Sequence, residues 1–501
     1  MKDSYRIYSI ILFVSIVLIT FFSTCSPLYP INPWDDANVF MTIGKSMLKG
    51  KILYRDIFDH KGPLLFFVHE LAAALSSRSF LGIYLLEILC CFGFLAFSYR
   101  TMRLFAEHGI SLITTCIVGV LTYSSDFMWY GDTVEEFSLP ILLYILYNML
   151  RYAKYSELPK KWESVLIGVG VAAIFWMKFT VLAMCVGALA SLLFLACQRS
   201  QICVLLRCLA WIIAGIGGLT ACVLLYFVTH NNMADLYQSY FIFNLCRYID
   251  VDIYATLWYV YLTPLKWAVW TLLVGAMLLL PISRDMKLVV GACWATQLLA
   301  FVLFKVYIYY FLQVFVFAPL VIYFVRSVHS KYVIVTGATI FVILATATNY
   351  NIITLLTDNF PNAIIPLAEI VNTDKDSDKQ VLTVKSYETG IYTLTDCLPP
   401  IKYFSTPNTY IKDLIVEQTA YLESCQSKYL IMKTDEPSYY SMFHPDLTVN
   451  YNLMCETSEQ CRYEFILHPL QFMWSLGYMK DFIERFHTPE PRITYRLYGI
   501  K

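Results

Sequence analysis

Residues Pro30 to Phe67 read PINPWDDANVFMTIGKSMLKGKILYRDIFDHKGPLLFF, and ten of the residues from Asp35 to Lys61 are ionisable. The chain around them is 501 residues long, 58% hydrophobic and only 15% charged. Such a balance leaves too little polar surface to cover a soluble protein, so lipid must solvate most of it. A dense charge cluster beside a bilayer is costly, and its position marks a functional loop. Asp35 and Asp36 follow Pro33-Trp34 and precede a pattern in which Val39, Ile43, Met47 and Leu48 share one face. That spacing predicts a short helix lying along the membrane surface, with one of the two acids as its N-cap and Gly50 as its stop. Tyr54, Arg55, Asp56, Asp59, His60 and Lys61 then lead to Gly62-Pro63. Helix capping and interfacial anchoring would account for the same residues without chemistry.

Outward from this loop, apolar runs recur from Ile7 to Tyr350, most of them near the ~20 residues a helix needs to span ~30 Å of hydrocarbon. The first, Ile7 to Phe22, lacks a small-residue cleavage site and reads as an uncleaved span. Ten more fit at 79–99, 109–125, 138–152, 163–177, 179–197, 208–229, 262–282, 288–304, 307–325 and 332–349, about eleven in all. With a cytoplasmic N-terminus, the cytoplasmic connections carry Arg100, Arg103, Arg151, Lys154, Lys160, Lys161, Arg199, Arg207, Arg284, Lys287, Arg326 and Lys331. The opposite connections hold Asp126, Asp132, Glu135, Glu136, Asp235, Asp250 and Asp252, the asymmetry expected of a positive-inside topology.

Three outer segments are too long or polar for turns: 27–78, 230–260 and the tail from about 350. The expected organisation is a polytopic helical membrane domain over 1–350, with the functional first outer loop 27–78, followed by an extracytoplasmic domain over 351–501. In that tail, Gln380 to Val384 and Lys428 to Met432 are strand-like runs with Pro399-Pro400 between them, so a small α/β fold is expected. Cys455 and Cys461 could pair if the tail lies in an oxidising compartment. The 37 basic and 37 acidic residues cancel, so no global field points to nucleic acid. No P-loop or glycine-rich dinucleotide fingerprint is present, and no paired Cys or His spacing suggests zinc.

The first loop resembles that of the GT-C glycosyltransferases, in the branch of protein O-mannosyltransferases and lipid A aminoarabinose transferases. There an Asp after the first span precedes a helix, a glycine turn and a D-x-x-x-x-K-P-P-L type segment. The matching residues are Asp35 or Asp36, Tyr54, Asp56, Asp59, His60, Lys61, Pro63 and Leu64, with Gly62 in place of the first Pro. Tyr130 to Pro140, with Glu135 and Glu136, resembles the family's second acidic loop. Lys178 is similar to a lysine that bacterial members carry, and Lys305 to Pro319 resembles their aromatic stretch.

The resemblance implies a glycosyltransferase of about eleven transmembrane helices that moves a hexose or pentose from a polyprenyl-phosphate donor to a glycan, lipid or protein hydroxyl, with inversion. Asp35 is then the first choice of base and Asp36 the second. Arg55, Lys61 and Lys178 would hold the phosphate, while Asp56, Asp59, His60, Glu135, Glu136 and Tyr309 line the substrate site. No cofactor is required with certainty, and Mg²⁺ or Mn²⁺ bound by Asp36, His60 and the glutamates is an open alternative. A bacterial inner membrane is the expected location. The rivals are a polysaccharide polymerase, which would lean on arginines such as Arg55 and Arg247, and a saccharide-lipid transporter or flippase, which would place charges such as Glu87 inside spans.

Overall fold

The computed structural model describes residues 2–247, 275, 282–303, 307–328, 349–357, 363–376, 379–384, 386–387, 389–406, 411–433, 451–460 and 492–500. Most of the expected spans 262–282 and 332–349, together with Cys461, lie outside them. The long helices follow the apolar runs: α1 (Lys2–Phe22), α4 (Leu81–Met102), α5 (His108–Tyr123), α6 (Val134–Tyr155), α7 (Lys161–Lys178), α8 (Ala183–Gln198) and α9 (Ile202–Thr229). Tyr5–Phe22, Leu81–Met102, Lys161–Gln198 and Ile202–Thr229 are long and apolar enough to cross a membrane. Their outward faces expose Phe13, Leu89, Ile213 and Leu225, residues that only lipid would solvate well. Helix α7 packs along α9, α4 along α6, and α8 along the helix Arg284–Leu303. The expected span 307–325 begins instead as 3-10 backbone over Ile308–Phe317 and becomes α-helical over Ala318–Val328.

Two further helices fill the first loop: α2 (Asp35–Leu48) and α3 (Pro63–Leu75). Helix α2 does not lie on a surface with one face in lipid. Every residue from Asp36 to Met47 is buried, because α3 packs on one side and a C-terminal segment covers another. Neither acid caps it: Trp34 holds the N-cap position without a side-chain bond, and Asp35 and Asp36 open the first turn. The glycine stop is as expected. Gly50 takes φ +93°, its amide bonds the Met47 carbonyl at 2.9 Å, and the Lys51 amide bonds that of Ser46 at 3.0 Å, which closes the helix.

The tail holds a four-stranded sheet in the order β1 (Val381–Val384), β2 (Tyr429–Lys433), β4 (Arg492–Ile500), β3 (Tyr451–Gln460). Strand β1 runs parallel to β2, with Val381 opposite Tyr429, and the helix Lys412–Glu423 makes the crossover between them. Strand β4 is antiparallel to both β2 and β3. All four residues of β1 are buried, as the continuous apolar run of a parallel strand requires.

Candidate active site

The site grows from the junction of α2, the turn before α3, and the end of α7. After Tyr54, which takes a left-handed φ of +66°, the chain folds back so that the Tyr54 hydroxyl donates to the Lys61 carbonyl at 2.5 Å. The Asp59 carboxylate accepts the Lys61 amide at 2.8 Å and fixes that turn. Gly62 then docks on α7, its amide donating to the Met177 carbonyl at 3.0 Å. The turn therefore brings Lys61 to the end of α7, where Lys178 sits.

Asp36 is buried and accepts a hydrogen bond from the Tyr387 hydroxyl. Lys61 lies in the field of Asp36, Asp59, Tyr307 and Glu135; burial alone would depress its ammonium, but those groups outweigh it and hold it above its ordinary range. Its Nζ stands 3.3 Å from His60 Nε2 and 5.9 Å from the Phe40 ring centre. Burial pushes the Asp59 carboxyl up, with Lys61 opposing. Lys178 donates to Glu135 Oε1 at 2.6 Å, and its Nζ lies 3.3 Å from the Tyr310 ring centre and 5.4 Å from that of Tyr309. Tyr309 packs edge-on to Trp34 at 5.1 Å and stacks on Tyr307 at 5.9 Å. The aromatic residues of the 3-10 stretch thereby join the start of α2 to Lys178.

Of the residues named from sequence, Asp59, His60, Lys61, Glu135, Lys178 and Tyr309 fall within these contacts, Asp36 faces Lys61 and Lys178 through its field, and half-buried Asp35 stands beside it on the first turn of α2. Arg55 and Asp56 do not join it. They pair with each other at 3.1 Å on the exposed side of the turn, and Asp56 also accepts the Ile52 amide. Glu136 points the other way, into a buried group with Glu87 and Asp132.

That second group contains residues that the sequence reading left without a role. His69 Nε2 lies 3.0 Å from Asp132 Oδ1, and His69 Nδ1 lies 2.8 Å from the Leu65 carbonyl. A carbonyl can only accept, so Nδ1 carries a proton, and a second proton must lie between Nε2 and Asp132. Glu87 accepts the Asp132 amide at 2.8 Å and the Ser23 hydroxyl at 2.7 Å. Burial pushes the Asp132 carboxyl up, with His69 opposing. The one signal available in sequence was the rarity of Glu87 and His69 within apolar stretches. No group of three or more His, Cys, Asp or Glu side chains among the described residues has the arrangement of a metal site.

The bundle, the buried loop helix and the small sheet together have the GT-C fold of membrane glycosyltransferases. The crystal structure of ArnT from Cupriavidus metallidurans bound to undecaprenyl phosphate is similar over 91% of this chain and 96% of its own, with a TM-score of 0.57 and 12% sequence identity. No protein-family model and no curated protein matches the sequence.

Proposed function

We propose that this chain is a glycosyltransferase that moves a sugar from a polyprenyl-phosphate donor to an acceptor hydroxyl at the extracytoplasmic face of the membrane. The observation that carries this reading is the Lys178–Glu135 ion pair at the end of α7, with the buried carboxylate Asp36 in the electrostatic field of Lys61 and Lys178. The similarity to a structure bound to undecaprenyl phosphate supports the choice of donor. Asp36 takes precedence over Asp35 as the base because it shares its field with Lys61 and Lys178.

In this reading the acceptor oxygen bonds to the anomeric carbon as the bond from that carbon to the phosphate oxygen breaks. The hydroxyl proton passes to Asp36, and the bonding pair leaves with the polyprenyl phosphate. A single displacement inverts the anomeric centre. General base help of this type contributes roughly 100- to 10,000-fold. Lys61 and Lys178 face the departing phosphate, where fixed cations in a partly dry site stabilise developing charge better than water does. Tyr309 and Tyr310 wall the phosphate side and keep Lys178 in place. Asp59 and His60 shape the turn that carries Lys61. Sugar transfer measured with EDTA and with Mg²⁺ or Mn²⁺ added tests whether a divalent cation takes part.

Of the two arginines that a polymerase would lean on, Arg55 pairs with Asp56, whereas the Glu87 and Glu136 carboxyls buried within helices are what a transporter would contain. The deciding experiment is sugar transfer by purified protein from a panel of radiolabelled polyprenyl-phosphate sugars, with Asp36→Asn, Asp35→Asn and Lys61→Ala alongside wild type. Transfer lost in Asp36→Asn and Lys61→Ala but kept in Asp35→Asn is the expected result. A folded wild type that turns over no donor returns the choice to the transporter.

A further inference from the structure

Tyr387 and the stretch Thr389–Thr406 are seated on α2 by contacts that are far apart in sequence. Tyr387 donates its hydroxyl to Asp36, and Thr393 donates to Asn38 Oδ1 at 3.1 Å. Lys45, almost fully buried, donates to the carbonyls of Tyr392, at 2.9 Å, and Thr395. Those carbonyls come from the last turn of the short helix Gly390–Leu394 and the residue after it, whose orphan acceptors suit a cation. At the rim, Arg78 Nε donates to Asp396 Oδ1 at 2.9 Å, and Lys51 reaches the Pro399 carbonyl. Buried charge and aligned hydrogen bonds of this kind fix one register, so the placement of Tyr387 follows from the whole seat.

An O–H pointed at the carboxylate of a general base stands where the acceptor must present its own hydroxyl. We propose that Tyr387 occupies the acceptor-hydroxyl position at Asp36, and that Tyr387 together with the seated stretch Thr389–Thr406 is the acceptor-side gate of the site. The inference rests on the transferase reading given above. While Tyr387 holds Asp36, water cannot be activated there. The acceptor displaces the phenol, and its hydroxyl takes over the hydrogen bond.

The reaction prevented is donor hydrolysis. In it a water oxygen bonds to the anomeric carbon, one water proton passes to Asp36, and the bond to the phosphate oxygen breaks with its pair, giving free sugar and polyprenyl phosphate. A gate therefore sets the ratio of hydrolysis to transfer, which a merely structural contact does not.

The test measures free sugar and transferred sugar in one reaction, using the radiolabelled polyprenyl-phosphate sugar that the purified wild type turns over. In Tyr387→Phe, free sugar is expected to rise about tenfold, the scale of one hydrogen bond to a charged group, while transfer at saturating acceptor stays within about twofold. The acceptor KM should fall, since nothing polar has to be displaced. Asp36→Asn combined with Tyr387→Phe should release no free sugar above background. Arg78→Ala loosens the same segment at an exposed ion pair, so it should raise free sugar in the same direction even if Tyr387→Phe fails to fold.

Free sugar unchanged in both variants, or both products falling in parallel in a folded protein, overturns the gate and leaves the transferase standing. A wild type without any turnover removes both.

Discussion

Gly62 donates its backbone N–H to the Met177 carbonyl at 3.0 Å, so the residue after Lys61 is bonded to the residue before Lys178. A Cβ at Gly62 would come within 2.0 Å of the Trp176 carbonyl oxygen. This explains why a proline, which the resemblance leads one to expect here, is missing. The backbone angles, φ −70° and ψ 149°, would admit it, but its ring would strike α7 and it has no N–H to give. Gly62→Ala should cost about 1–3 kcal/mol from overpacking, and Gly62→Pro about 1 kcal/mol more from the lost bond. Thermal unfolding in detergent measures both. Transfer should fall further than stability does, because the turn aims Lys61; a Gly62→Pro protein with wild-type transfer would remove this junction from the site.

The Lys178–Glu135 pair separates stability from chemistry. Glu135 is buried, so Lys178→Met leaves an uncompensated charge and should destabilise the protein by about 3–5 kcal/mol. Adding Glu135→Gln should restore most of that loss, since a neutral amide costs less to bury than a lone carboxylate. On the transferase reading, in which Lys178 is the proposed cation for the departing phosphate, transfer should not return and should stay at least about 100-fold down. Melting temperatures and transfer rates of the two single variants and the double variant decide the matter. Recovery of both properties in the double variant would make the pair purely structural.

Lys45 gives the fold a pH dependence of known sign. Burial, with Arg78 adding to it, lowers its pKa from 10.5 to about 8. Between those values the unfolded chain binds the proton that the folded one has lost. Stability attributable to Lys45 therefore rises with pH across about 8 to 10.5, by at most about 3 kcal/mol. Wild type should accordingly gain on Lys45→Met between pH 7.5 and pH 10 in melting temperature. Other lysines and tyrosines titrate alike in both proteins and cancel in that difference. A constant gap would show that the Lys45 ammonium is not depressed.

Local pattern accounts for what the sequence revealed. Apolar runs of span length became α1 and α4 to α9, and the β-branched and aliphatic run at 381–384 became a buried strand. Charges crowded near lipid at Asp36 and Lys61 stand out because their cost there demands a reason, whereas Lys178 enters only through the family resemblance. What stayed illegible depends on partners far along the chain. Tyr387 and Asp36 are 351 positions apart, and His69 and Asp132 are 63 apart. The cap expected of Asp35 or Asp36 fails because the helix already begins at Asp35, with Trp34 at the N-cap position, and the Asp36 carboxylate is turned to Tyr387 instead. Helix α2 reads as amphipathic, yet it is enclosed because the tail supplies a cover that no pattern within residues 35–48 announces.

His69 and Asp132 tie the first loop to the second, and the prediction they support concerns geometry transmitted between loops. His69 lies on α3, which follows directly from Lys61 and Gly62, and Asp132 stands three residues before Glu135, the partner of Lys178. Both side chains are fully buried and share one proton, so replacing either one disturbs a buried bond that water cannot reach to repair. Asp132→Asn should lower stability by about 3–5 kcal/mol at pH 7. His69→Gln retains a donor for Asp132 and should cost less. If the pair positions Glu135, then Asp132→Asn assayed well below its melting temperature should still show transfer reduced about tenfold or more, with the acceptor KM altered little. Transfer at the wild-type rate under those conditions would confine the pair to stability, and the alignment of Lys178 with Lys61 would then rest on the Gly62 junction alone.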